Sequence, residues 1–341
     1  MPADETTPDH PAIDLEDAAA METSPTMLLS RVAQNLYWAG RYLERAEATS
    51  RLVRTHTELF VDLPRSAGVT WAPLLAVTGS GESYRHGREA MVEEDVVSFL
   101  LADPRHQGSV VSSLGQAREN FRVTRGLIPR RSWESVNDVH RWARSTAATA
   151  SARATRVRWT EEVIHRCHTL LGSVVAMMSR DHAYAFLEVG RLVERADMTT
   201  RVLDVQAGIL MGPGSGALGH YVDQTWMSML RSLGGEQMYR RRMGGEVSPT
   251  NAVRFLLRDA SFPRSVEHCL IEISRWLLEL PDQAEPMAGS AAVQRLLDGA
   301  PVEDCEVDGL HAFVDAVQLG LGDLHDRIEA TYFPSQDLAN A

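Results

Sequence analysis

The amino-acid sequence predicts an all-α fold: a duplicated helical bundle with internal pseudo-two-fold symmetry, fused into one body. Two observations carry this prediction. Apolar residues recur at helical spacing, as in Val32, Leu36, Leu43 and Val53 and again in Phe186, Val189, Val193, Ala196 and Leu203, while strand-like alternation is nearly absent. Three blocks also recur in the same order. Gly40 to Arg51 returns as Gly190 to Arg201, 150 positions on, with seven of twelve residues identical. Trp71, Leu75, Gly79, Tyr84 and Arg85 return as Trp226, Leu230, Gly234, Tyr239 and Arg240 at an offset of 155. Phe99-Leu100-Leu101-x-Asp103 with Ser109-Val110 returns as Phe255-Leu256-Leu257-x-Asp259 with Ser265-Val266 at an offset of 156. One match can arise by chance; three in order at nearly constant spacing do not.

Along the chain, residues 1–26 hold seven acidic residues, four prolines and no arginine, the composition of a disordered acidic tail. Residues 27–155 form the first repeat, 156–335 the second and 336–341 a C-terminal tail. Prolines 64, 73, 104, 129, 249, 263 and 281 and the glycine pairs 234–235 and 244–245 punctuate the helices. The alanine-rich stretch Ser145 to Thr155 links the halves, and Gly212-Pro213-Gly214-Ser215-Gly216 reads as a loop. A last helix, about Asp308 to Tyr332, places His311, Val314, Val317, Leu321 and Ile328 on one broad face.

Composition narrows the function. All 34 basic residues are arginine, so a Walker-type phosphate loop, a Schiff-base lysine and a lysine general base are excluded. A net charge of -12 argues against general nucleic-acid binding, which depends on neutralising phosphates. The three cysteines, Cys167, Cys269 and Cys305, are scattered and read as buried thiols of a reducing compartment. The longest apolar run, around Leu170 to Met178, is far short of the roughly 20 residues of a bilayer span. The expectation is a cytoplasmic protein, with neither export nor membrane insertion.

On the helix bearing the first motif, Tyr37, Arg41, Glu44, Ala48 and Arg51 share a stripe; on the second, Leu187, Arg191, Glu194, Met198 and Arg201 do. Apolar Leu187 and Met198 between the charges imply burial, and a buried glutamate must hold arginines, within its helix or across the pseudo-axis. Two readings stay open. Either the pairs only fix how the helices cross, or the surplus Arg41, Arg45, Arg51, Arg191, Arg195 and Arg201 receive a carboxylate or phosphate through bidentate hydrogen bonds. Glu47 and Asp197 reduce the cationic excess. A second arginine stripe, Arg118 and Arg122 with Arg125, Arg130 and Arg131, and a third, Arg240 to Arg242, are solvated faces or further anion sites. Trp133 reads as a core residue. His165, Cys167 and His168 offer too few convergent ligands for a metal, so none is expected, and Gly79 to Ser83 reads as a turn rather than a phosphate cradle.

A wider set of motifs resembles the bacterial alpha-E family, named for its Glu-Arg motif. Its carriers are Met27 to Ala33, Leu36-Tyr37-Trp38-x-Gly40-Arg41-Tyr42-x-Glu44-Arg45-Ala46, Ala117 to Asn120, Trp133-Glu134, Glu194-Arg195-Ala196 and Phe262-Pro263-Arg264-Ser265-Val266. The resemblance covers residues 27–335, and the first copy departs from the second at Pro104 to Gly108, which stand where Phe262-Pro263-Arg264 stand. It implies a helical partner of a circularly permuted ATP-grasp protein, accompanied by a transglutaminase-like peptidase, in small-peptide synthesis or modification by amide-bond ligation. ATP would then be met only through the partner. The alternatives are a free-standing enzyme that transfers or condenses amino acids with Glu44 or Glu194 as general base, and a non-catalytic scaffold with structural Glu-Arg pairs.

Overall fold

The computed structural model describes residues 28, 30–86, 91–211, 219–300 and 307–334, and all regular structure among them is helical. The expected acidic tail, the Gly212 to Gly216 loop, Cys305 and the C-terminal tail lie outside the described residues. Fourteen α-helices are described: α1 (Ser30–Asp62), α2 (Ala72–Val77), α3 (Gly81–Arg85), α4 (Glu93–Leu101), α5 (Val110–Val123), α6 (Arg130–Thr146), α7 (Arg153–Met177), α8 (His182–Met211), α9 (Val222–Ser232), α10 (Glu236–Met243), α11 (Pro249–Arg258), α12 (Val266–Leu278), α13 (Ala284–Asp298) and α14 (Val307–Tyr332).

The two longest central helices, α1 and α8, carry the Glu-Arg motifs and form the most extensive pairing in the molecule. α1 is buried on nearly every side between Leu36 and Leu59, as a helix must be that serves as the axis of a bundle. Small residues let α8 come close. A Cβ on Gly40 would stand 2.1 Å from the Leu187 carbonyl oxygen, and a Cβ on Gly190 would stand 2.0 Å from that of Tyr37. Neither position accepts any side chain without prising the helices apart.

Around this pair, α5, α6 and α7 pack in succession and close back on α1, while α12, α13 and α14 do the same for α8. Short helices cross over: α9 packs on α1, and α2 packs on α8. One hydrophobic core, from Ala33 to Phe333, runs through both groups. Because α7 packs on α1 and α6, the first group extends to Met177, and a division at residue 155 falls within the first turn of its closing helix. No repeated block marks α7, so the sequence carried no signal there.

Local chemistry places the ends. Ser109 and Ser265 cap α5 and α12 by accepting from the backbone N–H groups of Ser112 (3.2 Å) and His268 (3.0 Å). Ser248 caps α11, with Pro249 in the first turn where its missing N–H costs nothing. Gly79 and Gly234 end α2 and α9 in the left-handed conformation, at φ 63° and 66°. Gly79 and Ser80 therefore belong to the turn between α2 and α3, whereas Gly81 to Ser83, expected in the same turn, open α3. The stretch Ser145 to Thr155 runs from the end of α6 through a 3₁₀ turn, Ala147–Thr149, into the first turn of α7, and so lies inside the first group. On α14, Val314, Val317, Leu321 and Ile328 are buried, but His311 is exposed and pairs with Asp204, off the apolar face. Trp133 is partly buried against the core.

Candidate functional site

The close crossing of α1 and α8 brings each motif's glutamate onto the other helix's arginines. Glu44 accepts from Arg195 through two bonds, Nε to Oε1 at 2.9 Å and Nη2 to Oε2 at 2.7 Å. Glu194 accepts from Arg45 in the same way, Nε to Oε1 at 2.6 Å and Nη2 to Oε2 at 2.9 Å, and from Arg41 Nε at 2.8 Å. Both glutamates are about 1% exposed. Buried carboxylates survive only with such charge-assisted bonds.

One step further along each helix stands a second acid with its own arginine. Glu47 pairs with Arg51, and Asp197 accepts from Arg201 Nε at 2.8 Å. The two sites then diverge. At Glu44 and Glu47, Arg264 inserts its guanidinium, donating Nη1 to Glu44 Oε1 (2.6 Å) and Nη2 to Glu47 Oε2 (2.7 Å). Its backbone is held by Thr199 Oγ1, which donates to the Arg264 carbonyl at 2.8 Å. At Glu194 and Asp197 the residue before the helix cap is Gly108, and a cavity of about 330 Å³ opens there, lined by Arg41, Arg45, Arg201, Glu194, Asp197 and Gly79 among others. Gly108 also borders a wider hollow of about 650 Å³ containing His86, Asp103 and His106.

Electrostatics separate the sites further. Burial raises the Glu44 carboxyl, but Arg195, Arg264 and Arg191 overcome it and hold the group well below the usual range. Glu194 is lowered in the same way, with Arg41 and Arg45 outweighing burial. Asp197 goes the other way: burial raises it, Glu194 adds to this, and Arg201 only partly compensates. Arg51 is pushed down by burial and by the neighbouring Arg264, and its Nη1 is buried without a hydrogen-bond partner. A general base needs a carboxyl poised near neutrality; Glu44 and Glu194 lie on the acidic side of their ordinary value.

The remaining predicted residues are distributed as follows. Arg191 pairs with Glu188 and lies 3.9 Å from Glu44, so Arg191, Arg195 and Arg51 belong to the site that Arg264 fills. Only Arg41, Arg45 and Arg201 of the six motif arginines line the cavity. Arg118 lies over the Trp133 ring and donates to Asn137 at 2.7 Å, and Arg122 pairs with Glu119 in solvent. Neither joins the Glu-Arg sites. His168 sits 3.0 Å from Glu47, Cys167 is buried and His165 is exposed, so these three do not converge. Burial pushes the Cys167 and Cys269 thiols up to about 12. Asp204, His311 and Asp315 do come within 4.8 Å of one another at the junction of α8 and α14, a grouping invisible in sequence across more than a hundred residues. Arg264 and Gly108 were missed as site residues, although the mismatch between Pro104 to Gly108 and Phe262-Pro263-Arg264 was the signal that marks them.

Residues 28–333 match the model of the Alpha-E family, described as a predicted alpha-helical domain with a conserved ER motif. An uncharacterized protein of Mycobacterium bovis is 25% identical over 340 residues, covering 88% of this chain, and counterparts from two Mycobacterium tuberculosis strains match equally well. The match takes in 36% of each relative, so the chain spans about a third of their length. No solved structure matches. No helix among the described residues is long and apolar enough to cross a membrane.

Proposed function

Since the chain belongs to the Alpha-E family, we propose that it is a partner subunit of an ATP-grasp type amide ligase. In this role it holds an anionic peptide or intermediate, a carboxylate or phosphate, in the arginine-lined cavity between two repeats of one duplicated unit. The observation that carries this reading is the cavity itself, where Arg41, Arg45 and Arg201 face two carboxylates and leave one positive charge in excess. Arg201 engages Asp197 through Nε only, which leaves its terminal N–H groups for an incoming oxyanion.

Duplication with a pseudo-two-fold axis is supported by the reciprocity of the contacts: Gly40 on Leu187 and Gly190 on Tyr37, Glu44 on Arg195 and Glu194 on Arg45, α2 on α8 and α9 on α1. A joint role with a second unit is supported by the family resemblance and by relatives in which the matched region is about a third of a longer chain. ATP and the ligation chemistry belong to the partner in this reading, and the complex works in the cytoplasm, with a transglutaminase-like peptidase acting on the same peptides.

The test is co-expression with a circularly permuted ATP-grasp protein from the same genome, followed by sizing. A stable complex is expected, and clean separation of the two proteins overturns the partnership. For the cavity, inorganic phosphate titrated by calorimetry should bind the full chain, and Arg201→Gln should weaken it about tenfold; equal binding by both removes Arg201 from the site. The filled site at Glu44 favours a second role for that half of the motif, as a clamp that fixes the crossing of α1 and α8. The alternative of an enzyme using Glu44 or Glu194 as base has the lowered acidity of both groups against it.

A further inference from the structure

The filled site shows what kind of group the open one accommodates. Gly108 precedes the cap Ser109 as Arg264 precedes the cap Ser265. Glu44 Oε1 receives two donors, Arg195 Nε and Arg264 Nη1, whereas Glu194 Oε1 receives Arg45 Nε alone. Glu47 Oε2 receives Arg264 Nη2; at the equivalent acid, Asp197 bonds Arg201 through Oδ2. Two acceptor positions, Glu194 Oε1 and Asp197 Oδ1, thus face the cavity in the arrangement that a guanidinium fork bridges at Glu44 and Glu47.

Charge sets the second requirement. With Arg264 in place, the filled site holds Arg51, Arg191, Arg195 and Arg264 against Glu44, Glu47 and Glu188, an excess of one positive charge. The open site already has that excess with Arg41, Arg45 and Arg201 against Glu194 and Asp197. A bare cation would double it, while an occupant bringing its own anion leaves it unchanged. Arg201, at the cavity wall beside Gly79 and bonded to Asp197 through Nε, has its terminal N–H groups left to donate to that anion.

Resting on the anion-binding reading above, we infer that the occupant is a small zwitterion: its guanidinium takes between Glu194 and Asp197 the place that Arg264 takes between Glu44 and Glu47, and its carboxylate meets Arg201. The site is single because the chain supplies its own guanidinium to the other half. The raised acid of Asp197 fits a buried carboxylate short of one cation.

Calorimetry on the full chain with 4-guanidinobutyrate, butylguanidine, acetate and inorganic phosphate tests this. 4-Guanidinobutyrate, with one guanidinium and one carboxylate, should bind at one site per chain, at least about tenfold tighter than butylguanidine, which lacks the carboxylate, or acetate, which lacks the cation. Gly108→Arg should abolish 4-guanidinobutyrate binding by supplying the missing guanidinium in cis. Asp197→Asn, which keeps the shape, should weaken 4-guanidinobutyrate and strengthen phosphate, so it decides the matter even where Gly108→Arg folds poorly against His106. Phosphate binding with 4-guanidinobutyrate no tighter than acetate overturns the zwitterion and spares the anion pocket. Butylguanidine as tight as 4-guanidinobutyrate overturns the carboxylate contact, and no binding of 4-guanidinobutyrate, acetate or phosphate overturns both readings.

Discussion

Gly40 and Gly190 set the distance between the two central helices, and each faces backbone rather than a side chain that can swing aside. Gly40→Ala and Gly190→Ala should therefore each destabilise the protein by about 1–3 kcal/mol, at the upper end of overpacking because carbonyl oxygens cannot move independently of their helix. Equilibrium denaturation measures this. The double variant should cost less than the sum, since once the helices are displaced the second methyl group meets relaxed space. Glu44 belongs to the same scale. Removing its charge in Glu44→Gln leaves Arg195 and Arg264 buried and undercompensated, with an expected loss of about 3–5 kcal/mol. Its pH dependence has a definite sign. The folded-state acid is lowered relative to an unfolded glutamate near about 4.3, so its stabilisation is complete above that pH and is lost as pH falls below it. Acid titration of the melting temperature should accordingly fall more steeply below about pH 4 for the wild type than for Glu44→Gln; parallel curves would remove Glu44 from the account.

At the scale of elements, the turn before α12 presents Arg264 and the turn before α5 presents Gly108. Asp259 fastens the first by accepting from the backbone N–H groups of Ser261 (2.8 Å) and Phe262 (3.0 Å), and Ser265 adds a bond to the Asp259 carbonyl at 2.5 Å. Asp103 accepts from Arg105 N–H at 2.9 Å in the corresponding turn. Ser109→Ala and Ser265→Ala each remove a buried helix cap and should each cost about 1 kcal/mol by denaturation. Ser265→Ala should also loosen Arg264 over Glu44, visible as faster hydrogen exchange at the start of α12. Helix identity was readable here from the helical period and from the prolines that punctuate it. The cavity was not, because its walls come from α1, α8 and two turns whose spacing along the chain says nothing about their distance in space.

For the whole molecule, one apolar core shared by both helical groups predicts that neither folds alone. Expressed separately, residues 28–177 and 178–334 should be unfolded or aggregated by circular dichroism and regain helical signal only on mixing. Two independently cooperative halves would instead mean that α1 and α8 meet as separate domains. The exchange of short helices, with α2 on α8 and α9 on α1, is the reason for expecting interdependence, since each half completes the other's axis.

The sequence by itself determined that the chain is helical, that its Glu-Arg motif occurs twice, and that those glutamates would need arginines wherever they were buried. Periodicity, repetition and the cost of burying charge are local or pairwise properties, and they can be read along a chain. Only the tertiary structure decided which arginine serves which glutamate, that six motif arginines divide into a filled and an open site, and that Arg118 and Arg122 stand apart from both. Those outcomes depend on a backbone approach permitted by two glycines and on one position, glycine in the first half and arginine in the second. A side chain's presence or absence acquires its meaning there only when distant segments close around it.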